Sequence, residues 1–305
     1  MKNIKGSIIL LIAAFIWGTA FVAQTSASDN VGAFTFTALR SAIGAAFLGA
    51  FMLLRKLYFN ISKKEVAKPM DIKRSLVGGA ICGIVLFFAT NLQQLGITVY
   101  PEGVASSGRA GFITATYVVM VAISGIFFGK KLHPVLWAAV AGCVAGMYML
   151  CLSGGFSGIY FGDVLVFLCA ICFTAHILVV DRFSDIDSIL LCCLQFTVTG
   201  IISAVLMLIF ETPDINAILA AWLPIAFTGI MSSGVAYTLQ MAGQKHAEPA
   251  VASIVMSLES VFSVLAGWVI LGETLTTREL IGCVLVFAAV ITAQLPEFFK
   301  DKKKT

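Results

Sequence analysis

Charge is scarce in this sequence. Its 16 acidic and 20 basic residues make up 12% of the 305, histidine appears three times, and 59% of the chain is hydrophobic. Ordinary soluble domains carry about 25% charged residues, so a water-soluble globular fold is excluded. Long polar stretches are lacking too. The longest connector, residues 55–74, is too short to fold alone, which leaves no room for a soluble catalytic or nucleotide-binding domain. No HExxH, Walker loop or GxSxG occurs, and no apolar stretch holds paired carboxylates. Zinc proteolysis, ATP-driven pumping by this chain alone and serine hydrolysis therefore have no footing. The net charge of +4 is spread among connectors, so no nucleic-acid partner is expected.

What the sequence does have is alternation. Ten apolar stretches occupy about residues 6–25, 31–54, 75–97, 103–128, 134–152, 160–180, 188–210, 217–242, 247–271 and 277–295. About 20 apolar residues span the hydrocarbon core as a helix, whereas barrel strands would alternate over about 9–11 residues. The expectation is an all-α polytopic membrane protein with ten transmembrane helices. The first stretch follows Lys2 and Lys5 but has no convincing cleavage site, so it reads as a retained helix.

The charges set an orientation. Arg55, Lys56, Lys63, Lys64, Lys68, Lys73 and Arg74 follow the second stretch, Lys130 and Lys131 the fourth, Lys245 the eighth, and Lys300, Lys302, Lys303 and Lys304 close the chain. The alternate connectors are neutral or acidic, with Asp29, Glu102 and Glu211. The positive-inside bias then places both termini in the cytoplasm of a multi-pass plasma (inner) membrane protein. The connector 181–187, with Arg182 against three Asp, gives no support. Of eight cysteines, seven fall inside apolar stretches, so they read as small buried packing residues; Cys169 and Cys172, one turn apart, have no His or carboxylate to complete a ligand set. No cofactor or metal is expected.

The chain also repeats itself weakly. VVMVAISGIFFGKKL (118–132) aligns without gaps on VFSVLAGWVILGETL (261–275), matching Val118/Val261, Val121/Val264, Gly129/Gly272 and Leu132/Leu275. After the shared glycine, Lys130 and Lys131 in one copy face Glu273 in the other. Five stretches per half is an odd number, so the halves would cross the membrane in opposite senses, and the basic-to-acidic change is what the charge bias then requires. Two inverted five-helix repeats, 1–152 and 153–305, are expected, an architecture of secondary transporters.

Several segments carry a resemblance: AAFIWGTAF (13–21), FTALR (36–40), NLQQLGI (91–97) with RAGFITATYVV (109–119), and SLESVFSVLAGWVILGETLTTRELIG (257–282). Together they resemble the EamA-type transporters of the drug/metabolite transporter superfamily over essentially the full length. The chain departs from that pattern at Lys130, where the second half has glycine–glutamate, and at Ser260, where such proteins often carry proline. The resemblance implies ten helices in two inverted halves that move small organic solutes.

Polar groups inside a bilayer are costly and face cavities or partners. Glu259 lies near the middle of the ninth stretch and reads as a proton-coupling carboxylate, a counter-charge for a cationic substrate group, or half of a fixed ion pair with an arginine. Arg40 can hold a substrate carboxylate, but a structural role, paired with a carboxylate or capping backbone carbonyls, is favoured. Arg109, beside Ser106, Ser107 and Gly108, either snorkels or lines a cavity. His176, the one histidine within a stretch, is a proton relay or a satisfied hydrogen-bonding residue. Asn91 and Gln94 share a helical face from which Gln93 points away. Gln195 and Gln240 are similar candidates, and Trp17 and Tyr237 either stack on a substrate or simply pack. GxxxG pairs such as Gly79–Gly83 and Gly142–Gly146 read as close helix contacts.

The substrate-binding set is therefore Trp17, Asn91, Gln94, Arg109, His176, Gln195, Tyr237 and Glu259, with Glu259 and His176 as proton-coupling groups. The expected function is secondary active transport of a small amino acid-like, nucleoside-like or drug-like metabolite by alternating access, with export favoured on family analogy. One chain holding both halves of the cavity is compatible with a functional monomer. The alternative, a membrane-embedded enzyme acting on a lipid-linked substrate with His176 as base, needs a clustered interfacial site, and the charges here are scattered. A channel would need a continuous polar stripe.

Overall fold

The computed structural model describes residues 2–28, 30–61, 71–101, 106–127, 129, 134–151, 160–271 and 277–302, and among these no strand is present. The helices are α1 (Lys2–Ser28), α2 (Ala33–Ile61), α3 (Ile72–Thr98), α4 (Ser106–Ala115), α5 (Tyr117–Phe127), α6 (Pro134–Cys151), α7 (Phe161–Arg182), α8 (Ser188–Phe210), α9 (Ile215–Ala220), α10 (Trp222–Phe227), a π-helical stretch Thr228–Ala236, α11 (Tyr237–Gln244), α12 (Pro249–Met256), α13 (Leu258–Leu271) and α14 (Thr277–Lys302). Asp29, Glu102, Lys63, Lys64, Lys68, Lys130, Lys131, Gly272, Glu273, Lys303, Lys304 and the boundary at 152/153 lie outside the described residues.

Seven helical stretches among the described residues are long and apolar enough to cross a membrane: Lys5–Ser28, Ala33–Tyr58, Ile72–Thr98, Ser107–Phe127, Phe161–Arg182, Ser188–Phe210 and Pro249–Ile270. Pro134–Met149 and Leu280–Ala293 are shorter apolar helices. The eighth stretch expected from the sequence is divided among α9, α10, the π segment and α11. The distribution of polarity is that of a membrane protein. Phe127, Leu208, Val269 and Phe210 are each at least 70% exposed, while Gln94, His176, Gln195 and Thr199 are fully buried. A soluble monomer would not leave so many large apolar side chains outside.

Three helical runs are interrupted near mid-length, and each carries the same local device. At the α4–α5 break, Thr116 Oγ1 donates to the Ile113 carbonyl at 2.6 Å. At the α12–α13 break, Ser257 Oγ donates to the Ile254 carbonyl at 2.7 Å. At the start of the π segment, Thr228 Oγ1 donates to the carbonyls of Pro224 at 2.7 Å and Ile225 at 3.1 Å. A hydroxyl that bonds back to a carbonyl three or four residues earlier competes with the helical ladder and bends it.

The helices pack in extensive pairwise contacts. α6 lies along α14, α2 along α8, α3 against α7 and α8, and α1 against α13, α11 and the π segment; α2 also touches the π segment and α4 touches α7. Close approach of α3 to α8 depends on Gly83, where a Cβ would lie 2.6 Å from Val198 Cβ and 2.8 Å from the Gln195 carbonyl oxygen. Ion pairs tie one end of the bundle and a carboxylate cap the other. At one end, Arg74 grips Asp185 through Nε at 2.7 Å, Arg55 reaches Asp187 at 3.1 Å, and Lys245 donates to the Ile186 carbonyl. The connector between α7 and α8 is thus tied to α2, α3 and α11. At the far end of α2, the Glu211 carboxylate accepts from Phe34 N at 2.9 Å, Thr35 N at 2.8 Å and Thr35 Oγ1 at 2.6 Å. It caps a helix 176 residues away in sequence, compensating donors that the helix itself leaves open.

Candidate functional site

The polar interior surrounds a cavity. It is narrow, since water centres can occupy only about 40 Å³ of it. Its walls come from α1, α2, α3, α4, α5, α7, the π segment, α11, α12 and α13. Trp17, Phe21, Phe173, Tyr237 and Met256 form an apolar and aromatic part. Gln24, Gln93, Thr114, Ser232 and Gln240 supply uncharged polar groups, and Arg40 and Glu259 supply one charge-bearing group of each kind.

Glu259 sits in the first turn of α13, just beyond the Ser257 break. A carboxylate is favourable there because the helix N-terminus is positive. Its Oε1 accepts from Tyr117 Oη at 3.1 Å, and Tyr117 is the first residue after the Thr116 break. The two interrupted helices therefore meet through this bond, and Ser260 Oγ adds a second link to the Gly111 carbonyl at 3.2 Å. The fixed arginine partner considered for Glu259 is replaced by a tyrosine hydroxyl. The aromatic walls interlock: Trp17 and Tyr237 lie edge to face at 4.9 Å, and Tyr237 does the same with Phe196 at 5.2 Å and His176 at 5.9 Å.

Of the eight residues expected to bind substrate, the structure brings Trp17, Tyr237 and Glu259 together on the cavity. The other five are not among its lining residues. His176 is buried, with Nε2 at 2.9 Å from Gln195 Oε1, so the two candidates on adjacent helices occupy each other. Asn91 donates to Ser203 Oγ at 3.0 Å and to the Phe87 carbonyl, tying α3 to α8. Gln94 donates to the Gln24 carbonyl at 3.4 Å. Arg109 makes a two-pronged ion pair with Asp163, Nε to Oδ1 and Nη2 to Oδ2, both at 2.6 Å. Tyr100 Oη and Tyr160 N complete that carboxylate at 2.8 and 2.9 Å, and the guanidinium lies 4.8 Å from the Tyr160 ring centre.

Sequence reasoning passed over several cavity residues. Gln93, on the face opposite Asn91 and Gln94, lines the cavity and donates to Thr114 Oγ1 at 3.1 Å. Gln24 and Tyr117 also line it, and the signal that could have found them is a polar side chain near the middle of an apolar stretch. Arg40 lines it as well, and of the structural roles favoured for it, neither a carboxylate pair nor a backbone-carbonyl cap is formed among the described residues. Its hydrogen-bond partner is Gln24 Oε1, 3.3 Å from Nη1.

A helical, multi-pass membrane protein with a polar cavity where interrupted helices meet belongs to the transporter class. The profile of the EamA-like transporter family matches this chain twice, over residues 4–152 and again over 160–293. The chain belongs to the EamA-like transporter family. An uncharacterized transporter of Archaeoglobus fulgidus is 27% identical over 301 residues, 97% of this chain and 87% of its own length. The uncharacterized inner membrane transporter YedA of Escherichia coli K12 is 26% identical over 278 residues, 90% of this chain and 86% of its own. One solved crystal structure overlays with a TM-score of 0.76, covering 96% of this chain and 97% of that one, and at 22% identity it speaks for the fold alone. Family and relatives point to membrane transport and not to an enzyme.

Proposed function

We propose that this chain is a secondary active transporter that moves a small organic metabolite by alternating access, in the export direction, through a cavity between two inverted halves of five helices each. The observation that carries the reading is the cavity itself, walled by helices from both halves and centred where α4–α5 and α12–α13 are both interrupted. The packing supports the inverted halves. Exchange each helical stretch for its counterpart five places along, and the contacts map onto one another. α2 with α8 and α6 with α14 map onto themselves; α3 with α7 becomes α1 with α11; α1 with α13 becomes α4 with α7. A near-symmetric assembly of this kind has two alternative packings of similar energy, which alternating access requires.

Glu259 is the coupling group in this proposal. Its bond to Tyr117 joins the two interrupted helices, so a change in its protonation changes their link. His176, paired with Gln195 beside Tyr237, is a second relay position behind the wall. The ten-helix count from the apolar stretches, an inner-membrane location like that of the YedA relative, and the cytoplasmic termini that the Lys and Arg distribution favours belong to the same proposal. One chain suffices to form the cavity.

The test is solute counterflow and pH-driven uptake in proteoliposomes, across amino acids, nucleosides and cationic drugs. At least one class is expected to move, and Glu259→Gln is expected to abolish proton-driven accumulation while leaving a folded protein. If no solute moves under any gradient, the transport reading is wrong.

A further inference from the structure

We infer that Arg40 is an anion anchor and that the solute carries a single carboxylate on an apolar body; the inference rests on the cavity being the solute site. Arg40 lies on α2 in the bundle interior, 3% exposed. Its guanidinium offers five N–H donors. Among the described residues its one hydrogen bond, to Gln24 Oε1, is long at 3.3 Å, and its buried Nε has no partner. Its central carbon stands 5.6 Å from the Phe36 ring centre, a position that shields one face and leaves the edge for hydrogen bonding. Arg55, Arg74 and Arg109 each face a carboxylate, whereas no described carboxylate is within ion-pair distance of Arg40.

A buried cation without a counter-ion is among the most costly features a protein can hold. Here it borders a cavity, so an entering anion can supply what the protein withholds. Two counts restrict the anion. Among the described residues, Arg40 is the one cationic side chain on the wall, and Glu259 on the same wall opposes negative charge. A phosphate dianion would be left short of positive charge, while one carboxylate matches one guanidinium fork. The remaining wall, with Trp17, Phe21, Phe173, Tyr237 and Met256, is apolar and aromatic and suits an apolar body. Glu259 is held by Tyr117 and does not compete for the guanidinium.

The test uses the full-length protein in detergent and three probes of one shape: 3-phenylpropionate, its uncharged amide and phenethylamine. The acid is expected to raise the thermal midpoint with concentration, and the amide to bind about 10- to 100-fold more weakly. Arg40→Gln is expected to erase the difference between acid and amide, and Arg40→Lys to restore part of it. Should Arg40→Gln fail to fold, the acid–amide contrast in the unmodified protein decides by itself. The anchor is overturned if acid and amide act alike, if phenethylamine alone stabilises, if no acid response appears up to solubility, or if a folded Arg40→Gln keeps the contrast. Counterflow in proteoliposomes separates this inference from the transport reading. Exchange of neutral or cationic solutes with no carboxylate exchange overturns the anchor alone. Carboxylate binding without exchange of any solute supports the anchor and overturns transport.

Discussion

Removing either partner of the Arg109–Asp163 pair should destabilise the protein, and by unequal amounts. The pair joins α4 to α7, and both side chains are nearly buried, at 12% and 11% exposure. Breaking a buried ion pair costs about 3–5 kcal/mol, against about 0–1 kcal/mol for a surface pair. Asp163 receives four hydrogen bonds, two from Arg109 and one each from Tyr100 Oη and Tyr160 N. In Arg109→Ala the carboxylate keeps the last two, so the cost should sit at the lower end, about 3 kcal/mol. Asp163→Ala loses all four and unties Tyr100, so about 3–4 kcal/mol is expected. In the double variant no charge of the pair is stranded, and a coupling of about 1.5–3 kcal/mol should be recovered. Reversible unfolding in mixed detergent micelles, applied to the four proteins of the cycle, measures this. Additivity within about 0.5 kcal/mol would refute the pairing, and a larger loss in Arg109→Ala than in Asp163→Ala would refute the hydrogen-bond accounting.

Other outcomes follow from local geometry. Gly18→Ala would set a Cβ 2.4 Å from Phe262 Cβ and 2.8 Å from the Glu259 carbonyl oxygen; α1 and α13 must part, lowering stability by about 1–3 kcal/mol and reducing transport, which thermal unfolding and vesicle uptake would register. Glu211→Ala removes the three bonds that cap α2 and should cost about 1–2 kcal/mol, with Glu211→Gln milder; equal midpoints for Ala and wild type would count against the cap. Asp187 caps α8 through Ile189 N and Leu190 N, both at 3.1 Å. Partial burial pushes its pKa up, but the Leu190 N–H and the Arg55 guanidinium outweigh this and hold it below the usual value. A lowered folded-state pKa stabilises above the ordinary aspartate value, about 3.9, and that contribution is lost as pH falls through the folded value. The midpoint difference between wild type and Asp187→Ala should therefore be flat from neutral pH down to about 5 and shrink only below about 4.

Composition alone settles that this chain lives in a bilayer, because 59% hydrophobic residues in long runs cannot be hidden from water. The family was legible from ordered short segments, and Glu259, Trp17 and Tyr237 were legible as polar or aromatic groups far from any connector. Spacing along one helix could not tell which of its faces meets the cavity. Gln93 faces it and Gln94 does not, since the neighbours of α3 decide what each face touches. Nor could sequence tell which polar groups find each other. His176 meets Gln195 and Arg109 meets Asp163, while Arg40 is left with Gln24. A buried polar group is satisfied by whatever partner packing delivers, and those partners lie on other helices. The sequence thus determined the membrane, the all-helical class and the family; the tertiary structure decided where the helices are interrupted, which intramembrane charges were spent on holding helices together and which were left facing the cavity.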